Sequence, residues 1–189
     1  MMYKAVIFDM DGTLTVPYIN WSTLRAAISC PPDKTIIAHI DSLPPDRARA
    51  AREILLATER EAAERAEMNA GAADLVDALR QRGLKLALVT NNHREAMQIV
   101  LKRYGLHFDS ALSRDDGVLK PAPDLILKAL DALGAKAEDA LGIGDSIYDT
   151  QACAAAKVRC LYLTHGSPRF DHEPAIASLG DMLAFLDRA

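Results

Sequence analysis

Short apolar runs, each closing on a polar or acidic cluster, recur along this chain and constrain its fold more than any other feature. Residues 4–8 are the first, running straight into Asp9; residues 85–90, 140–144 and 158–163 repeat the pattern. None alternates strictly between apolar and polar positions, so each reads as a strand buried on both faces. Helical periodicity fills the gaps. Residues 72–82 place Leu75, Val76 and Leu79 on one face and stop at Gly83, while 94–104 and 122–133 each run up to a glycine, Gly105 and Gly134. Residues 146–156 and 178–188 complete the set. Strands and helices in this order predict an α/β fold, a parallel sheet covered on both faces. Right-handed crossovers then bring the strand C-termini to one edge, where such sheets bind ligands.

Residues 17–69 break the rhythm. Pro17, Pro31-Pro32 and Pro44-Pro45 divide them into helical pieces at roughly 21–29, 33–42 and 46–68. The long piece carries Arg47, Arg49, Arg52, Glu59, Arg60, Glu61, Glu64, Arg65 and Glu67, with Arg60–Glu64 and Glu61–Arg65 one turn apart. We expect a solvated charged face there, with Ile54, Leu55 and Leu56 supplying the packed side. The predicted organisation is a core of residues 1–16 and 70–189, with a small helical cap, 17–69, inserted after the first strand.

Composition narrows the function. A formal net charge of −4 with no basic block argues against nucleic-acid binding. No apolar run approaches the roughly 20 residues of a membrane helix, and the opening apolar run is too short for a signal-peptide core. Cys30, Cys153 and Cys160 show no paired spacing, which favours a reduced, cytoplasmic setting over a disulfide framework or a zinc site. His39, His93, His107, His165 and His172 are scattered without metal-binding spacing. No protein partner is indicated.

Four polar islands sit at the predicted strand ends: Asp9-Met10-Asp11-Gly12-Thr13, Thr90-Asn91-Asn92, Lys120-Pro121, and Gly144-Asp145-Ser146 with Asp149. Taken singly, each has an ordinary reading as a turn, a helix cap or a surface lysine. Together they hold the parts of a phosphoryl-transfer site. Asp9 is the candidate nucleophile, and Asp11 the acid for the leaving alkoxide and base for the attacking water. Gly12 allows a tight turn that aims backbone N–H groups at phosphate, and Thr13 holds Asp11 or caps the turn. Thr90 and Asn91 offer a hydroxyl and N–H groups at a helix start. A carboxylate meeting a phosphate dianion at about 4 Å costs roughly 8 kcal/mol at an effective dielectric of about 20, so cations are required. Lys120, held outside its helix by Pro121, is one. Magnesium is the other, with oxygen ligands from Asp9, the Asp11 carbonyl and Asp145; Asp149 takes a metal-bound water or holds Lys120.

In this order the DxDGT, strand-Thr, Lys-Pro and GDSxxD motifs resemble the haloacid dehalogenase-like hydrolase superfamily over residues 4 to about 165. Residues 73–91 and 142–155 look most like its phosphoglycolate phosphatase-like branch. That resemblance implies a Rossmann-like three-layer core, a helical cap, and magnesium-dependent hydrolysis of a small phosphate ester, such as phosphoglycolate or a sugar phosphate, through an aspartyl-phosphate. It implies the same roles for Asp9, Asp11, Thr90, Lys120, Asp145 and Asp149. Two departures stand out. The cap is shorter than is usual in that branch, and Ala155-Ala156-Lys157 stands where relatives often carry glycine, so a different helix exit is expected. The rival readings are a phosphomutase, which passes the phosphoryl group to a sugar, and a non-catalytic scaffold. A dehalogenase has no use for Asp11. Asn20, Trp21 and His93 are candidate substrate contacts, Trp21 being expected chiefly in the cap core. Arg114, Asp115 and Asp116 are expected in a solvated turn and Arg169 on the surface.

Overall fold

The structure, a computed structural model, describes residues 3–188. Six parallel strands form one sheet in the order β3-β2-β1-β4-β5-β6. They are β1 (Ala5–Phe8), β2 (Lys85–Val89), β3 (Ser110–Leu112), β4 (Ala140–Gly144), β5 (Arg159–Leu163) and β6 (Ala175–Ile176). β1 lies centrally, paired with β2 through Ala5↔Lys85 to Phe8↔Leu88 and with β4 through Ala5↔Ala140 to Phe8↔Ile143. Its four residues are all buried, as a run without alternation requires.

Side chains on the two faces of the sheet feed separate apolar layers. Val6, Phe8, Leu86, Leu88, Leu141 and Ile143 pack with α4 (Ala72–Gln81), α5 (Arg94–Tyr104) and α8 (Asp181–Arg188). Ala5, Ile7, Ala87 and Val89 pack with α6 (Asp124–Leu133) and α7 (Ile147–Ala155). The result is the Rossmann-like three-layer arrangement, with helices on both faces of a parallel sheet. α5 and α6 end on Gly105 and Gly134, as their sequences predict. α7 leaves differently: Lys157 adopts a φ of 60°, a left-handed conformation in which glycine is usual.

The cap contributes α1 (Trp21–Ala27), α2 (Ile36–Asp41) and α3 (Pro45–Arg65). Leu24, Ile28, Cys30, Ile40, Ala51 and Leu55 form a small core of its own. Its entry and exit run side by side: Val16 N–H donates to the Glu67 carbonyl, Asn69 N–H donates to the Leu14 carbonyl, and Thr15 bridges Met68.

Three expectations need correction. β3 and β6, short and only partly buried, do not stand out as apolar runs. Trp21 opens α1 and is 49% exposed, outside the cap core, because the first position of the helix faces solvent. Glu59 is 3% exposed, unlike its charged neighbours on α3, because that side of the helix docks on α5.

Candidate active site

Every island lies at the C-terminal edge of the sheet. Asp9 leaves β1, Thr90 follows β2, and Asp145 follows β4; Lys120 arrives on the loop between β3 and α6. The Lys120 ammonium lies between two carboxylates, 2.6 Å from Asp9 Oδ1 and 2.5 Å from Asp149 Oδ1, and also donates to the Val89 carbonyl at 3.0 Å. Asn91 fixes the loop that brings it. Its side chain donates to the Lys120 carbonyl (2.9 Å) and accepts from the Lys120 N–H (2.8 Å), so this predicted phosphate contact has its amide engaged in joining two islands.

Asp9, Asp145 and Asp149 each offer an oxygen within 4.8 Å of the others, an arrangement that can hold a metal ion. The donors are all hard carboxylate oxygens, which suits magnesium. Asp9, Asp145, Asp149 and Lys120 are all buried, and three acids against one ammonium leave surplus negative charge. Burial pushes the Asp9 carboxyl well above its ordinary pKa; Asp149 adds to the rise, Lys120 opposes it, and Asp145 and Asp11 raise it further. Burial likewise raises Asp145, against a hydrogen bond from Arg169. Burial disfavours the charge on Lys120, but Asp149 and Asp9 outweigh it and its pKa lies above the usual ammonium value. A divalent cation would relieve this surplus, so these residues fit one.

Close backbone approach is built in by two glycines. Gly12 has a φ of 88°, and a Cβ there would strike the Asp145 carboxylate; a Cβ on Gly144 would strike Asp149. Asp149 is also the N3 residue of a capping box on α7, its Oδ2 accepting from the Ser146 N–H at 3.0 Å and hydroxyl at 2.5 Å. Both of its oxygens are therefore engaged, one by the cap and one by Lys120.

Asp11 points to the second island. Its Oδ2 accepts from Thr90 Oγ1 at 3.4 Å and Asn92 Nδ2 at 3.2 Å. Burial raises its pKa, the Asn92 hydrogen bond lowers it, and the charge of Glu59 raises it. Thr13 bonds Asp9 Oδ2 at 3.3 Å, and no bond joins it to Asp11 among the described residues.

The family model for the haloacid dehalogenase-like hydrolases matches residues 3–157, most of the chain and every island. The chain belongs to that family. Among its relatives, a pyrophosphatase PpaX of Halalkalibacterium halodurans is 31% identical, with 97% of this chain and 96% of the relative aligned. Phosphoglycolate phosphatase 1 of Pseudomonas aeruginosa is 27% identical over 98% of this chain and 80% of its own length. The solved structure of a hydrolase from Pseudomonas syringae shares the fold, with a TM-score of 0.78, 23% identity and 98% of both chains covered. Similarity to phosphoglycolate phosphatases extends along nearly the whole chain, so the branch resemblance holds despite the short cap.

Within this haloacid dehalogenase-like hydrolase, four site neighbours escaped the sequence reading. Arg169 is 61% exposed at its side chain, yet its guanidinium donates to the Asp145 carbonyl (2.5 Å) and to Asp145 Oδ2 (2.7 Å), so it is no idle surface residue. His165 Nε2 lies 2.7 Å from the Gly12 carbonyl. Asn69 Nδ2 lies 2.8 to 3.3 Å from the carbonyls of Gly12, Thr13 and Thr15. These three contacts arise between distant loops, and no local spacing announces them. Glu59 is the exception: with Ala51, Leu55 and Ala62 it continues the buried stripe of α3, a carboxylate at an apolar position.

Arg114, far from lying in a solvated turn, pairs through both terminal nitrogens with Glu59, Nη2 at 2.8 Å from Oε2. His93, a candidate substrate contact, is buried, and its Nδ1 lies 2.7 Å from the same Glu59 oxygen. Asn20 caps α1, its side chain accepting from the Thr23 N–H at 3.1 Å.

Proposed function

We propose that this hydrolase is a magnesium-dependent phosphatase that cleaves a small phosphomonoester through an aspartyl-phosphate at Asp9. The observation that carries the proposal is the Lys120 ammonium held between Asp9 and Asp149, beside Asp145, at the sheet edge where ligands bind. Relatives named phosphatases and pyrophosphatases support it.

In the first step an Asp9 oxygen attacks phosphorus, the P–O bond to the substrate alcohol breaks, and Asp11 delivers its proton to the departing oxygen. Burial, which raises Asp11, keeps that proton available. In the second step Asp11 takes a proton from water as the water attacks phosphorus, releasing phosphate and restoring Asp9. Lys120 neutralises charge at Asp9 throughout, and Asp149 holds it there. The Thr90 hydroxyl and the backbone beyond it receive the phosphoryl oxygens. Asp9 and Asp145, with the Asp11 carbonyl, would hold magnesium, Asp149 completing the acidic set; the ion supplies charge cancellation between carboxylate and phosphate. Arg169 keeps Asp145 in place. Residues 17–69 act as the cap that selects the substrate.

A second reading, hydrolysis of pyrophosphate, is favoured by the relative of that name. Phosphate release from a panel of small phosphate esters and pyrophosphate, with and without magnesium, tests both. Release that needs magnesium is expected, and it separates hydrolysis from phosphoryl transfer to a sugar; no release from any member would overturn the assignment.

A further inference from the structure

We propose that Glu59, a cap residue, is a positioning residue for Asp11, acting through His93 and Asn92. The proposal rests on the role given above to Asp11 as acid and base.

Consecutive contacts make the connection. The Glu59 carboxylate is held by the Arg114 guanidinium from the core. Its Oε2 faces His93 Nδ1 at 2.7 Å, and the same Nδ1 lies 3.1 Å from Asn92 Oδ1. Both neighbours are acceptors, so Nδ1 must carry the proton. Asn92 Oδ1 also accepts the His93 backbone N–H at 2.9 Å. A flipped amide would set N–H against N–H there, so the orientation of Asn92 is fixed. Its Nδ2 is thereby turned to Asp11 Oδ2, at 3.2 Å.

The same contacts connect separate parts of the molecule. Glu59 lies on α3 of the cap, His93 and Asn92 on the loop after β2, and Asp11 on the loop after β1. Glu59, Asn92 and His93 are all buried. His93 Nε2 is buried with no hydrogen-bond partner among the described residues, the Glu95 carboxylate standing off at 3.9 Å, so the hydrogen bonds of the ring are all on its Nδ1 side. Moving α3 off α5 withdraws Glu59, which frees the imidazole and leaves the amide that orients Asp11 held by the His93 backbone N–H alone. The acid is thus fully set only while the cap is seated.

The role predicts a dependence on leaving group that general destabilisation does not. p-Nitrophenolate departs without a proton, whereas the alkoxide of glycerol phosphate needs one. In kcat/KM, which reports the steps up to alcohol release, Glu59→Gln and His93→Gln should each lower glycerol phosphate hydrolysis about 10-fold more than p-nitrophenyl phosphate hydrolysis. The double variant should be no worse than the poorer single one. The Asn92 side-chain amide resonance should move in both variants of the metal-free protein, and remain in place in Asp46→Asn, which alters an exposed pair elsewhere on α3. Equal losses on the two esters in both single variants, or an unmoved Asn92 resonance, would overturn the proposal. Absence of phosphate release by the wild-type protein from either ester would instead remove the role of Asp11 on which it rests, and the amide resonance would distinguish that failure from this one.

Discussion

Two buried ionic clusters lie close together in this molecule, and they are balanced differently. Around Lys120, three buried carboxylates share one ammonium, with Arg169 reaching only Asp145 from the rim. Around Glu59, one buried carboxylate meets the Arg114 guanidinium and the His93 N–H, and every charge has a partner. Burying charge costs several kcal/mol per ion unless geometry and pairing repay it. The balanced cluster meets that condition with protein groups alone. The unbalanced one stores an electrostatic deficit that a divalent cation and a phosphoryl group can use. Charge surplus, rather than burial or bond length, separates the candidate centre from the support beside it.

The largest expected effect comes from removing the proposed nucleophile. Asp9→Asn should cut phosphate release by about 10⁴-fold or more with folding intact, a loss of catalysis that exceeds any loss of packing; undiminished turnover in a phosphate assay would end the role assigned to Asp9. Next, Lys120→Met leaves Asp9 and Asp149 buried without their cation. Thermal unfolding of the metal-free protein should show a loss of about 3–5 kcal/mol. If the Tm is unchanged, Lys120 does not compensate the burial of these two carboxylates.

Magnesium should distinguish the two clusters directly. At about 100 times its Kd it adds about 2.7 kcal/mol, a rise in Tm of roughly 5–10 °C, and Glu59→Gln should leave that increment intact. The shift should depend on pH. Burial raises Asp9 and Asp145, so the metal-free folded state keeps protons that the unfolded chain releases. That contribution to stability is complete below the ordinary carboxylate pKa of about 4 and is lost as pH rises through the raised values. Magnesium competes with those protons, so its increment should be small in acid and grow towards neutrality. Melting curves at several pH values check this; an increment independent of pH would place the ion elsewhere. The smallest effect belongs to the exposed Lys4–Asp139 pair, where Lys4→Ala should change stability by no more than about 0.5 kcal/mol in urea denaturation.

Much of the sheet and the polar islands was legible because both are local. An unalternating apolar run marks a buried strand, and an acidic or hydroxyl residue just beyond it marks the edge where ligands bind. β3 and β6 were not legible: three residues and two residues, partly exposed, carry too little pattern to separate from loops. Asp9, Asp11, Thr90, Lys120 and Asp145 were expected at one edge and the fold places them there. Arg169 and His165 escaped because their contacts depend on the path of the loop after β5. Glu59 was hidden differently. Its neighbours Arg60 and Glu61 are exposed, and a charge run on a helix gives no local sign of which member turns inward. Only the four-residue steps from Ala51 through Leu55 to Glu59 mark it.

The paired entry and exit of the insertion bear on how such an enzyme can change its diet. Val16 and Glu67, and Leu14 and Asn69, stitch both ends of the excursion together at its base, and Asn69 draws the turn of Gly12 and Thr13 into the same knot. Whatever lies beyond that knot need only begin and finish one rung apart, and lengthening a closed excursion costs little, about 0.6 kcal/mol per doubling. The insertion is therefore an exchangeable part. Under the proposed function, its replacement by a longer or shorter one would retune which molecules enter while the sheet edge beneath stays unchanged.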